Sequence, residues 1–218
     1  MATPISPPLK SAHPGIKPAQ QGRSKQRQSD LIEAGIKLMC KKSIDDISIL
    51  ELTGFCGYSV GTFYSRFDDK ESFFFAVQHA AAVKIMSLIK DGFSDAEWRQ
   101  ASVEQIFANL VTLSVDALKG DLRGVIRESV LRSGANKGIW RPLRACGRFI
   151  ARVILDLLSP YFREGTASES RKSVQFGLQM FYGTLAQVVV NNAGPVKLED
   201  PALKDGLTRM LTQYAALA

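Results

Sequence analysis

The segment from Ser48 to Lys70, SILELTGFCGYSVGTFYSRFDDK, constrains the fold of this chain more than any other stretch. Ser48 is a favoured N-cap residue, and Ile49 and Leu52 after it make one apolar stripe at helical spacing. Gly57 stands where a helix ends in a left-handed conformation that glycine adopts at little cost. Ser59 then serves as N-cap for a second short helix, Val60 to Phe67. Two helices joined by a few residues containing glycine are a helix-turn-helix. In the second helix Phe63 and Phe67, at i and i+4, face inward. Thr62, Tyr64, Ser65 and Arg66 turn hydroxyls and a cation toward an anionic partner.

The rest of the chain reads as helices. With 218 residues and 45% apolar composition it has material for one domain plus a small second one. Residues 1–22 hold five of the nine prolines and almost no periodic apolar pattern, and are expected to form a disordered or extended tail. A first helix is predicted over about 25–42, with Leu31, Ile32, Gly35, Ile36 and Met39 inward. Asp69-Lys70-Glu71 opens a long helix to about residue 91, followed by helices near 103–118, 122–131, 140–162 and 168–191. Asp200-Pro201 gives an N-cap and an N1 proline for a last helix. No strand-like alternation of useful length occurs, so the fold class is all-α with about nine helices. The helix over 168–191 is apolar around much of its girth, which calls for burial on more than one face: a core plus a subunit interface, or a fully internal helix in a monomer.

Charge and cysteine usage narrow the function classes. The net charge is +7, and Lys10, Lys17, Arg23, Lys25 and Arg27 all precede the first acid, Asp30. Basic residues at a helix start oppose the helix dipole, so an external anion or plain solvation accounts for them. Cys40, Cys56 and Cys146 are odd in number and scattered, making neither a CxxC nor a disulfide framework, which fits a reducing cytoplasm. No charged segment followed by an apolar core opens the chain, and no run approaches ~18 apolar residues, so neither a signal peptide nor a membrane span is expected. His13 and His79 have no partner pattern, and no nucleophile elbow, phosphate loop or dinucleotide fingerprint occurs. Hence no catalytic residues, no metal and no cofactor are expected, and an all-α enzyme is the remote alternative.

The Ser48–Glu71 region resembles the TetR family of transcription regulators, whose pattern runs S/T-V-x-x-I-A-x-x-A-G-V-S-x-G-T-x-Y-x-x-F-x-x-K-E. Ser48, Ile49, Leu52, Thr53, Cys56, Gly57, Tyr58, Ser59, Gly61, Thr62, Tyr64, Phe67, Lys70 and Glu71 stand at the matching places, and the Gly61–Glu71 core is the specific part. Thr53 and Cys56 replace alanines at tight helix contacts, and Tyr58 replaces a smaller aliphatic. Val60 stands where a Lys or polar residue often reaches DNA, which removes one contact of that kind. The resemblance implies a three-helix DNA-binding domain over 23–70 and a helical regulatory and dimerisation domain over 71–218. It also implies a homodimer through the last two helices on a pseudo-palindromic double-stranded operator, most often as a repressor released by a small ligand. The alternative is a ligand-independent or activating regulator.

Candidate contacts follow from chemistry. Ser48 and Ser59 sit at helix N-termini, where orphan N–H donors meet an anion. Tyr64 offers a phenol to phosphate, or packs with Phe67. Lys70 is a point charge, Arg66 meets phosphate or the guanine edge, and Thr62 meets a thymine methyl or phosphate. Val60 gives only apolar contact, Ser65 another hydroxyl, and Arg23, Lys25 and Arg27 add phosphate neutralisation. In the regulatory part Phe107, Trp140, Phe149, Phe176, Phe181 and Tyr182 are either core or the lining of an unidentified ligand's cavity. Arg141, Arg144, Arg148 and Arg152 form one basic stripe, a solvated face or an anion site; the outward placement is expected because Leu143, Gly147, Ile150 and Ile154 take the opposite face.

Overall fold

In the computed structural model, residues 13–19, 22–134, 137–162 and 165–216 are described. Among them the chain is all-α: α1 (Gly22–Met39), α2 (Ile49–Phe55), α3 (Val60–Tyr64), α4 (Lys70–Gly92), α5 (Val103–Lys119), α6 (Leu122–Arg132), α7 (Arg141–Leu158), α8 (Ala167–Asn191) and α9 (Pro201–Ala216). Short 3-10 turns lie at Ala96–Arg99, Lys137–Trp140 and Ser159–Tyr161.

Local chemistry sets most of these ends. The Ser48 hydroxyl accepts the Glu51 N–H at 3.0 Å. Gly57 has φ +70, and the Tyr58 and Gly57 N–H groups return to the Thr53 and Gly54 carbonyls at 2.8 and 3.1 Å, the Schellman closure of α2. Ser102 and Gln105 form a capping box at α5. Asp69 accepts the Ser72 N–H at 2.7 Å while the Ser72 hydroxyl accepts the Asp69 N–H at 3.2 Å, a reciprocal cap on α4. Asn192, at φ 43, ends α8 and accepts the Leu198 N–H through its side chain at 2.9 Å. Two expected helices end early. α3 stops at Tyr64, leaving Arg66 and Phe67 in the following turn, and α7 gives way at Ser159-Pro160, where proline cannot donate to a continuing helix.

The helices gather into two compact units. The first comprises Met1–Lys84 with Asp121–Ala145, the second Ile85–Gly120 with Cys146–Ala218. Compactness thus divides the chain differently from the linear partition at residue 70: the first part of α4 and all of α6 belong with the helix-turn-helix. In the first unit Phe63, Phe67 and Phe73 are almost wholly buried and meet at ring distances of 5.1 to 5.5 Å, in tilted and edge-to-face pairs. Gly35 of α1 admits α4 closely, since a Cβ there would lie 2.6 Å from the Phe73 ring. Gly124 does the same for α6 against the Met39 carbonyl.

In the second unit α9 packs on both α5 and α8. Phe107, Leu110, Val111 and Val115 of α5, Leu178, Phe181 and Leu185 of α8, and Leu203, Leu207 and Leu211 of α9 are buried. α4 is long and apolar enough to cross a membrane, but 67% of its 18-residue apolar window is buried inside the protein, as in a core helix.

One expectation is corrected. Residues 13–19 fall in the stretch 1–22 expected to be a disordered or extended tail, yet they are docked: Ile16 is 5% exposed and bridges Phe67. A single buried isoleucine between Gly15 and Lys17 has no period to reveal it. Residues 1–12, 20 and 21 lie outside the described part.

Candidate nucleic-acid interface

α3, the second helix of the helix-turn-helix, is held from behind and open in front. Phe63 anchors it at full burial, while Tyr64 is 47% exposed and Ser59 and Ser65 are exposed. Val60 and Thr62 are half-buried, and the Ser59 and Thr62 hydroxyls lie 3.3 Å apart. The Tyr64 ring meets Phe63 edge-on at 5.4 Å. The ring thus rests on Phe63 rather than on Phe67, and about half of the residue remains in solvent. The Ser65 hydroxyl is spent on the Thr62 carbonyl at 2.7 Å. Arg66 donates from Nη1 to the Ser65 carbonyl at 3.1 Å, and its Nε is buried without a partner.

At the start of α1, Arg23, Lys25 and Arg27 are all exposed. Arg27 lies over the Tyr58 ring at 5.8 Å, and Tyr58 donates to Asp30 at 2.5 Å. That hydrogen bond to a carboxylate raises the Tyr58 pKa. Gln26 holds the other Asp30 oxygen at 2.8 Å. The turn between α2 and α3 and the basic start of α1 are thereby latched together. Ser48 is exposed with its hydroxyl committed to capping α2. Lys70 donates to the Asp45 carbonyl at 2.9 Å, so its ammonium serves the loop between α1 and α2.

α6 secures the same loop, which the linear reading did not foresee. Glu128, 3% exposed, accepts the Ile44 N–H at 3.3 Å and pairs with Arg132 at 3.6 Å. Arg132 also pairs with Asp45 and covers the Phe74 ring at 5.6 Å. Arg127 reaches the Met39 and Lys42 carbonyls, each at 3.4 Å. Gln78 of α4 donates to Ser129 at 2.8 Å. Glu128 is a lone acid among basic residues in sequence, and that spacing was the available signal.

The six candidate ligand-lining aromatics do not share one environment. Phe107 and Phe181 are fully buried core, and Phe149 is half-buried. Phe176 is 48% exposed and pairs with Tyr214 at 5.7 Å. Trp140 is half-buried and belongs with the first unit. Tyr182 is half-buried beside Phe181 at 5.1 Å, with its hydroxyl buried and unpartnered. Burial and then the neighbouring Cys146 raise the Tyr182 pKa, and burial pushes the Cys146 thiol up to about 12. Both groups are therefore neutral at physiological pH. An open polar groove in the second unit is lined by Glu104, Lys204, Asp205, Arg209 and Thr212 among others, and by none of the six aromatics. Arg141, Arg144, Arg148 and Arg152 are all exposed, the outward placement expected of them. Among the described residues no group of three or more His, Cys, Asp or Glu side chains is placed to hold a metal ion.

No protein-family model and no curated protein matches the sequence. Solved structures do match the fold. A TetR-family transcriptional regulator from Streptomyces coelicolor superposes with a TM-score of 0.67 at 18% identity, over 88% of this chain and 80% of that one. A TetR transcription regulator from Haloarcula marismortui gives 0.65 at 12% identity, over 88% and 98%. A TetR transcriptional regulator from a Rhodococcus species gives 0.58 at 19%, over 88% and 97%. The chain has the TetR-family fold.

Within the TetR fold, the departures from the sequence pattern have physical accounts. Thr53 is fully buried, and its hydroxyl returns to the Ile49 and Leu50 carbonyls at 2.9 and 3.2 Å, so no polar atom is stranded. The Cys56 thiol points at the Asp30 carbonyl at 3.4 Å. Tyr58 is larger than the usual residue because it reaches Asp30 on α1. Val60 has no polar atom, which leaves the hydroxyls of Ser59, Thr62 and Tyr64 as the polar groups on the open side of α3.

Proposed function

We propose that this protein is a sequence-specific DNA-binding transcription regulator, acting as a dimer and, most simply, as a repressor released by a small ligand. The observation that carries the reading is the recognition helix: Phe63 is sunk in the core while Tyr64 stands 47% exposed beside the Ser59 and Thr62 hydroxyls. The exposed Arg23, Lys25 and Arg27 lie at the start of α1, the last of them held over Tyr58 of the helix-turn-helix. Hydroxyls on an open helix supply position and hydrogen bonds, and the basic start of α1 supplies phosphate neutralisation.

Dimerisation is favoured by α8. Phe176 and Met180, at i and i+4, are 48% and 45% exposed on a helix whose other face is buried. Such large apolar groups in a row mark a surface that another copy covers. The ligand reading rests on Tyr182, whose buried and unpartnered hydroxyl is a neutral donor for a ligand oxygen, with the Arg stripe of α7 turned away to solvent. A neutral or lipophilic compound with one acceptor fits that chemistry. Release requires only that the ligand bind one of two conformers better. α4 and α7 each supply residues to both units and α6 grips the loop before α2, which supports these helices as carriers of that preference. Such a regulator works where DNA is, in a cytoplasm that keeps Cys40, Cys56 and Cys146 reduced.

Selection of duplexes from a random pool, followed by footprinting, tests the reading. The expected result is a protected pseudo-palindrome with half-sites about 10 bp apart, bound by two chains, with affinity falling steeply as salt rises. Protection of one asymmetric half-site by a monomer defeats it. Tyr64→Phe should weaken binding by roughly 1 kcal/mol across sequences while leaving thermal stability unchanged.

A further inference from the structure

Residues 13–17 are bound to the end of the recognition helix. The Lys17 N–H donates to the Arg66 carbonyl at 2.8 Å, and the Asp68 N–H donates to the Gly15 carbonyl at 3.0 Å. Ile16, between them, is 5% exposed and bridges Phe67. Gly15 lies so close to α4 that a Cβ would sit 2.8 Å from the Ser72 Cβ. His13 accepts the Gly15 N–H at Nδ1 at 3.2 Å, and its ring lies 5.3 Å from that of Phe75. The Lys17 ammonium donates to the Tyr64 carbonyl at 2.9 Å and lies 2.8 Å from Asp68 Oδ1.

These contacts fall where α3 is weakest. A helix of five residues cannot hold its own conformation, because nucleation costs more than so few hydrogen bonds return. Its Gly61, Thr62 and Phe63 carbonyls are met by Ser65, Arg66 and Phe67, which leaves the Tyr64 carbonyl at the negative end of the helix dipole, where a cation is favourable. Lys17 supplies that cation, and it also offsets the charge of Asp68, an acid beside the surface that would face phosphate. The ion pair is half exposed and adds little to global stability. Its effect is local: the bridge, the buried Ile16 and the lysine fix the direction in which α3 leaves the core.

We propose that residues 13–17 are a positioning strap for the recognition helix, with Lys17 its positioning residue, so that the strap sets DNA discrimination rather than overall stability. The inference rests on the DNA-binding reading for its consequence, but its structural half is separable. The full chain, Lys17→Met, Lys17→Arg and Gly15→Val are compared; the last lifts the strap off Ser72 without changing charge. The probes are a duplex recovered by the unaltered chain from a random pool, and a scrambled duplex of equal length. Lys17→Met and Gly15→Val should each lose about 5- to 10-fold on the recovered duplex, the equivalent of about 1 kcal/mol or slightly more, and under 2-fold on the scrambled one. Lys17→Arg should retain discrimination, and melting temperatures should stay close together.

Amide exchange at Arg66, Phe67 and Asp68 should speed up in the two disrupting variants while the α1 and α5 amides do not change. Equal losses on both duplexes with a shallower salt slope for Lys17→Met would make Lys17 a phosphate contact and overturn the proposal. Unchanged exchange and discrimination in Gly15→Val would overturn it as well. Should Gly15→Val fail to fold, Ile16→Ala takes its place with the same expectations for binding and exchange, its melting temperature falling because a buried side chain is truncated. If the unaltered chain recovers no duplex, the DNA reading has failed, and exchange alone decides: faster at 66–68 upholds the strap, unchanged refutes it.

Discussion

α3 and α8 are the shortest and longest helices among the described residues, with 5 and 25 residues, and they are stabilised in opposite ways. α8 is long enough to form many of its own hydrogen bonds, and its apolar residues, placed around much of its surface, decide what must cover it. α3 has almost nothing of its own. It depends on Phe63 and Phe67 below, on the Schellman turn before it, and on a strap and the capped start of α4 after it. A helix of the first kind tolerates change at single contacts, whereas one of the second kind transmits every change in its supports to the surface it displays. The part of the molecule that would read DNA is thus the part most exposed to remote substitution.

The largest expected difference lies in the aromatic anchors. Phe63→Ala should cost about 3–5 kcal/mol, because a fully buried ring leaves a cavity. Phe176→Ala, at a position 48% exposed, should change chain stability by about 0.5 kcal/mol or less. Sedimentation should nevertheless show Phe176→Lys shifting dimers toward monomers. Equal thermal destabilisation by the two alanine variants would break the contrast between the helices.

A smaller effect is expected at Asp69, which caps α4 directly behind the recognition segment. The Ser72 N–H holds its carboxyl below the ordinary value of 3.8. The folded state then takes up this proton less readily than the unfolded chain, so the contribution is present in full above 3.8 and is lost as pH falls through the depressed value. Asp69→Ala should therefore cost about 1 kcal/mol at neutral pH, with the gap from the unaltered chain closing in acid. Chemical denaturation at several pH values measures it, and a gap that widens in acid contradicts this origin.

The smallest effect is expected on α8. Tyr182→Phe removes a buried hydroxyl that has no partner, so stability should stay level or rise by up to roughly 1 kcal/mol. Operator binding should persist while the response to an inducer weakens. A clear loss of stability would mean that the hydroxyl is satisfied in solution and is no ligand anchor.

Sequence alone determined the all-α class, the helix-turn-helix at Ser48–Phe67 and most helix ends, because caps, glycine turns and apolar periodicity are local chemistry. Ser48, Gly57, Asp69 and Asp200 each act within a few residues of themselves, and each could be read without a fold. The outward face of the Arg141–Arg152 stripe was legible for the same reason, since one helix turn relates every residue on it. Other features were settled only by tertiary structure. Ile16 is a lone apolar residue whose burial depends on Phe67, 51 positions away, and Glu128 is an ordinary surface acid until it meets Ile44. Tyr58 looked like an oversized residue until Asp30 received its hydroxyl. Phe107 and Phe176 share an amino-acid type but not a fate, one fully buried and the other half exposed. Periodicity records which groups must leave water, whereas the partners that receive them are set by chain segments that no window of sequence brings together.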